Sequence, residues 1–141
     1  MEIVAPPKAS KHFETPHESL ADLDPDVAAT LIAAAADVAL VIDPDGVIRD
    51  ISFGNEDLLN EGGDAWLGRK WSETVTVESR SKIEDLLKTA TSAAPTRWRQ
   101  VNHPSPRGPD LPVSYCTGRV GTEGRIVAIG RALRPLALLQ P

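Results

Sequence analysis

The stretch from Asp37 to Ser52, DVALVIDPDGVIRDIS, decides how the rest of the chain is read. Val38 to Ile42 is an apolar run rich in β-branched residues, and Val47 to Ile51 resumes the same character. Between them Asp43, Pro44, Asp45 and Gly46 are the residues a type I turn takes at its four positions. Gly46 can adopt the left-handed conformation that closes such a hairpin with a bulge. Nothing in the stretch is reactive, so it is scaffold, and function has to be sought in what surrounds it.

Working outward, residues 1–23 are polar and proline-bearing without a period, which predicts a flexible leader. Order is expected from residue 24. Asp24 suits an N-cap, Pro25 the first helical position, and Asp26 complements the helix dipole. Val27, Leu31, Ala34 and Ala35 then fall on one helical stripe with Ile32 beside it. After Phe53, glycines at 54, 62, 63 and 68 break the chain into short helical pieces. VESRSKIEDLLKTATSA predicts an amphipathic helix with Val77, Ile83, Leu86, Leu87 and Ala90 on one side, ended by Pro95. TRWRQVNH reads as a strand with Trp98 packed and Arg97 and Arg99 outward. PSPRGP reads as a loop that no strand could cross. LPVSYCTGRV and RIVAIGRAL, joined by GTEG, are the last two strands. Two strands, a helical middle and three strands make an α+β domain. The expected architecture is a five-stranded antiparallel sheet with a helical cap and an N-terminal flanking helix. The domain spans 24–135, and 136–141 is the start of a linker helix.

The composition, 41% hydrophobic and 25% charged over 141 residues, is that of a globular chain. A net charge of -5 disfavours a broad phosphate-binding surface. No apolar run is long enough to span a bilayer, so no membrane contact is expected. The opening MEIVAPPKASKHFETPHES lacks the basic and apolar regions of a secretory signal. The single cysteine, Cys116, allows no internal disulfide and suits a reducing cytoplasm.

Reactive constellations are sparse. His12 and His17 fall in the leader and His103 before a proline-rich loop, so all three are expected at the surface, without a catalytic partner. Asp22, Asp24 and Asp26 alternate like the start of a calcium loop, but the sixth and twelfth positions hold Val27 and Ala33 rather than glycine and glutamate. Gly118, Gly121 and Gly124 lie across a β-turn and not between a strand and a helix, so they form no phosphate cradle. One aromatic residue between Arg97 and Arg99 is too little for a single-strand binding platform. No catalytic or metal residues are expected.

The element order, with DVALVIDPDGVIRDIS as first hairpin, WLGRKWSETV before the long helix and IVAIGRALRP at the close, resembles a PAS domain. IAAAADVALVIDPDGVIRDIS, WLGRKWSETVTVES, LPVSYCTGR and IGRALRPLA are also similar to the N-terminal PAS-type domain of the PpsR/CrtJ family of photosynthesis-gene transcriptional repressors. The resemblance implies that DNA is read only through domains absent from this chain. Cys116 lies in the fourth strand and does not match the family's redox cysteine. Haem sensors of this fold carry an axial histidine on the long helix, and flavin photosensors a cysteine on the short helix before it. This sequence has neither, so no cofactor is expected and the pocket should be filled by the chain's own Trp, Ile and Leu side chains.

The function these readings imply is a non-catalytic regulatory and oligomerisation domain that relays signals through protein contacts. Its partners would be a second copy in a homodimer and an antirepressor or sensor protein. The expected dimer interface comprises Val27, Leu31, Ile32, Ala34, Ala35, Leu133 and Leu136. The alternative is a PAS sensor that binds a small ligand or cofactor.

Overall fold

A computed structural model describes residues 12–92 and 97–133 of the chain. Leu136, the linker start at 136–141, Pro95 and the first eleven residues of the leader lie outside the described residues. The hairpin forms as its residues require. β1 (Val38–Ile42) pairs antiparallel with β2 (Ile48–Phe53), and Arg49 is the extra residue of a bulge opposite Val41 and Ile42. In the turn the Gly46 N–H donates to the Asp43 carbonyl at 2.9 Å, and Gly46 takes φ +85°, which a glycine adopts without a Cβ clash. The Asp43 carboxylate braces the same turn. Its Oδ1 accepts from the Asp45 and Val47 N–H groups at 2.8 and 3.0 Å, and its Oδ2 accepts from Arg49 Nε at 2.8 Å. The Val47 N–H first, and the Arg49 guanidinium next, hold this carboxyl below the usual carboxylate range.

The other elements are α1 (Pro16–Ser19), α2 (Pro25–Ala35), α3 (Glu56–Asn60), α4 (Arg80–Thr91), β3 (Arg99–Ser105), β4 (Gly108–Val120) and β5 (Arg125–Ala132). Three 3₁₀ turns, Gly63–Ala65, Trp71–Glu73 and Val77–Ser79, join α3 to α4. The sheet has five strands in the order β2-β1-β5-β4-β3, every neighbouring pair antiparallel. One face is buried. Val38, Leu40 and Ile42 of β1, Val113 and Tyr115 of β4, and Ile126 and Ala128 of β5 meet Ile83 and Leu86 of α4, with Leu58, Trp66 and Trp71. Each fully buried Val, Leu or Ile among them contributes roughly 1.5–3 kcal/mol.

The chain between α3 and α4 runs from one edge of the sheet to the other and bonds to one residue of each edge strand. At β2 the Ile48 N–H donates to the Arg69 carbonyl at 2.9 Å and the Gly68 N–H to the Ile48 carbonyl at 2.8 Å. At β3 the Thr76 N–H donates to the Asn102 carbonyl at 2.8 Å, and the Asn102 N–H donates to Ser79 Oγ at 2.9 Å. The edge groups of Ile48 and Asn102 are thereby occupied and closed to a foreign strand. The buried Thr117 hydroxyl ties α4 to β4 by donating to the Leu86 carbonyl at 2.9 Å.

α2 is capped as expected, Asp24 Oδ1 accepting the Val27 N–H at 2.9 Å. Its C-terminal end docks closely beside Gly54, where an added Cβ would run into the carbonyl oxygens of Ala33 and Ala36. Asp37 then knots three strand ends: its N–H donates to the Gly130 carbonyl, its carbonyl accepts from Gly54, and its Oδ2 accepts the Ala132 N–H at 2.7 Å. Within the expected leader, α1 is one helical turn with every residue exposed.

Three local expectations are corrected. PSPRGP is not a loop, because β3 continues through Pro104 and β4 starts before Pro109. Pro104 lies on an edge strand opposite a bulge in β4, where Pro109 and Asp110 together face it, and Pro109 and Pro112 lie where β4 extends past the β5 ladder, so no ladder donor is lost. Val77 does not join the apolar side of α4. It stands in the preceding 3₁₀ turn, which rotates it outward to 71% exposure. Trp98 is not packed inside: burial of Val101 and His103 sets the inward phase of β3, which puts Trp98 on the outer face at 42% exposure. There the Arg131 guanidinium lies 4.3 Å above its ring centre. Arg99 shares the inward phase at the sheet margin and pairs with Asp85 at 3.2 Å.

Candidate functional site

Two features of this scaffold can carry function: a polar seam inside the cap and an apolar surface outside it. The seam is built on β3 and β4. Because side chains alternate along a strand, Val101 and His103 point to the same side, as do Leu111, Val113, Tyr115 and Thr117. His103 is therefore fully buried, which corrects the expectation of a surface histidine. Its Nδ1 lies 2.7 Å from the Thr74 carbonyl and its Nε2 lies 2.8 Å from the Tyr115 hydroxyl. A carbonyl only accepts, so Nδ1 carries the proton, and Nε2 accepts from the tyrosine O–H. The imidazole stacks on Trp66 with ring centres 4.0 Å apart, and Trp66 in turn leans on Phe53.

Burial sets the charge state of this seam. It pushes the His103 pKa from 6.5 down to about 4, against the smaller opposing effect of the Thr74 carbonyl. It pushes the Tyr115 phenol well up, with the Trp71 indole N–H beside it offsetting only part of the effect. That N–H makes no properly aligned hydrogen bond and is the one buried side-chain donor left so among the described residues. The Trp71 ring meets the Tyr115 ring edge-on at 5.1 Å between centres. At neutral pH the seam is an uncharged relay of one donor per acceptor, joining the cap at Thr74 to the two strands behind it. It holds no carboxylate or thiol. Among the described residues no three His, Cys, Asp or Glu side chains converge where a metal ion could sit. Trp66, Trp71, Tyr115, Ile83 and Leu86 occupy the space between cap and sheet.

The outer surface is different. Ala39, Ile129 and Cys116 lie in one row across β1, β5 and β4, and Val41 and Val127 in the next. Ala39 is buried, the other four are half-covered, and Trp98 and Arg131 border them. Partial burial pushes the Cys116 thiol up, with Arg131 pulling it partly back.

Of the residues expected at a dimer interface, Val27, Leu31, Ala34 and Ala35 are all exposed on α2, Leu31 at 56%, while Ile32 is half-buried. Leu133 is exposed just past β5, where its N–H donates to the Pro112 carbonyl at 2.9 Å. It lies at the same end of the sheet as the exit of α2, because Val38 pairs with Gly130. No helix among the described residues is long and apolar enough to cross a membrane. The residues the sequence reading missed are His103, Thr74 and the Trp98–Arg131 stack. The alternation Val101–His103 alongside Val113–Tyr115 carried the signal for the first of these.

Residues 32–135 match the model of a family described as the PAS fold. Protein CrtJ of Rhodobacter capsulatus is 30% identical over 123 residues, covering 87% of this chain and 26% of that protein. The chain thus spans about a quarter of the length of this relative. The PAS domain of an HTR-like protein from Haloarcula marismortui superimposes with a TM-score of 0.54 at 19% identity, covering 85% of this chain and 100% of that one. A domain of the sensory box sensor histidine kinase/response regulator from Geobacter sulfurreducens gives 0.57 at 17% identity, covering 82% and 98%. At these identities the two structures bear on the fold alone.

Proposed function

The chain belongs to the PAS fold family and is related to the transcriptional regulator CrtJ, and on that premise we propose that it is a non-catalytic regulatory and oligomerisation domain of a photosynthesis-gene repressor. It acts through protein contacts. A homodimer forms with α2 at its centre, an antirepressor or sensor protein is a further partner, and DNA is read by domains outside this chain. The observation that supports this reading is the uncovered stripe of Val27, Leu31, Ala34 and Ala35 on a helix that has no buried residue of its own. A flanking helix held only by its C-terminal end has apolar area that a second chain can cover.

The test is the oligomeric state. Light scattering of the unaltered domain at high micromolar concentration should give the mass of two chains. Val27→Glu with Leu31→Glu, both at exposed positions, should give a folded monomer. An unaltered domain that is already monomeric refutes the dimer.

The ligand-sensor reading has one observation in its favour, the buried indole N–H of Trp71 without an aligned acceptor. Native mass spectrometry and absorbance of the purified protein separate the two readings.

A further inference from the structure

Between the C-terminal half of α4 and the start of β3 lies an open cleft of about 260 Å³, lined by Asp85, Leu86, Lys88, Thr89, Arg97 and Arg99. It carries three cations against one carboxylate in a chain whose net charge is -5. The carboxylate, Asp85, is engaged by Arg99. Lys88 and Arg97 make no ion pair among the described residues. The cleft therefore has unspent positive charge, and the aliphatic stems of Lys88 and Arg99, over the buried Leu86, give it an apolar component as well. Such a lining suits carboxylates carried on a peptide with apolar neighbours better than it suits a bare phosphate or a duplex.

The chain itself contains a peptide of that kind. Every residue from His12 to Val27 is exposed. The stretch has no lysine or arginine, carries Glu14, Glu18 and Asp22, and interleaves them with Phe13, at 70% exposure, and with Leu20 and Leu23. We propose that the cleft seats the acidic segment 13–22 of a second copy of this chain, an inference that rests on the α2-centred dimer proposed above.

The geometry allows the contact in trans. Val38, Gly130, Tyr115 and Arg99 stand in one row across β1, β5, β4 and β3. At the usual strand spacing the cleft is about 14 Å from the point where α2 leads into β1. If the two α2 helices run antiparallel, the partner copy's capping aspartate lies beside this copy's Ala35. A ten-residue segment leaving that point spans up to about 33 Å, enough to reach the cleft. The same chain's own segment starts at the other end of α2, about 16 Å along the helix from that point, and the isotope pattern of the cross-links tells the two arrangements apart.

The test uses the full chain, mixed in equal parts as nitrogen-15-labelled and unlabelled protein. A carbodiimide joins a carboxylate to a nearby lysine as an amide, the carbodiimide leaving as its urea. Mass spectrometry should find Lys88 joined to Glu14, Glu18 or Asp22 in mixed-isotope peptides. The exposed Arg97→Glu substitution should lower their yield at least ~3-fold, as should molar salt, since the pairs are solvent-facing. Light scattering of the same samples separates the two readings. A dimer in which these cross-links are absent, or contain one isotope only, overturns the cleft assignment and leaves the dimer standing. A monomer overturns both. Protection of Lys88 by inorganic phosphate or duplex DNA, without any cross-link to the segment, assigns the cleft to a phosphate ligand and overturns the proposal.

Discussion

Lowering the pH should destabilise this domain through His103 before most of its carboxylates titrate. In the folded chain the imidazole is neutral, with both ring nitrogens bonded to neutral groups and a pKa of about 4, whereas an unfolded histidine titrates near 6.5. Above 6.5 the ring is neutral in both states and adds nothing to the pH dependence. Between 6.5 and about 4 the unfolded chain binds a proton that the folded chain refuses, so stability falls with pH. Below about 4 both states are protonated and the loss levels off. The gap corresponds to about 3 kcal/mol, on the order of 10 °C in melting temperature for a domain of this size.

The geometry explains why the fold resists the proton. A second N–H on His103 would force the Tyr115 hydroxyl to turn its hydrogen away from Nε2, where the nearby Trp71 N–H is another donor and not an acceptor. Urea unfolding of the parent chain and of His103→Phe, each followed from pH 7.5 to 4, isolates the effect, because carboxylate titration is common to both. The parent should lose about 1.4 kcal/mol per pH unit more than the variant in the middle of that range. The imidazole carbon shifts should report an Nδ1–H tautomer that stays neutral at pH 5.5. Parallel curves for the two proteins, or a His103 that titrates near 6.5 in the folded state, would refute the reasoning.

Three further outcomes follow from particular contacts. Tyr115→Phe removes the donor to a buried ring nitrogen and should cost about 1–3 kcal/mol in urea unfolding; a change below a few tenths would mean the bond is not formed. Gly54→Ala drives a methyl group against the Ala33 and Ala36 carbonyls and should strip amide-exchange protection from residues 25–35, while the sheet stays protected; unchanged protection there would show that α2 docks otherwise. Cys116→Ser should leave the oligomeric state the same under oxidising and reducing conditions, since burial holds the thiol protonated; an oxidation-dependent shift in the parent that the variant escapes contradicts this.

Much of this molecule is local in origin, and to that extent it was legible residue by residue. The hairpin at 37–52 needs only a β-branched run, a turn quartet and a glycine that can reach φ +85°. The cap of α2 needs only Asp24 followed by Pro25. Strand and helix order then led to the PAS fold, because five strands split by a helical middle have few ways to bury one face.

What local rules could not settle was phase and neighbourhood. The direction of Trp98, Arg99 and His103 depends on which face of β3 meets the cap, and that is decided by Val101 packing inward from a strand whose own sequence alternates weakly. Pro104 and Pro109 of PSPRGP stand in strands because tertiary pairing leaves their missing donors at a bulge and beyond a ladder's end, while Pro106 takes the turn between them. The seam of Thr74, His103 and Tyr115 joins residues 29 and 12 positions apart, and no short window contains it. The basic cleft likewise exists only because α4 and β3 lie side by side. Backbone preferences act over a few residues and can be read from them. Burial, which fixes the pKa of His103 and turns an apparent surface histidine into the polar centre of the core, is a property of the packed chain alone.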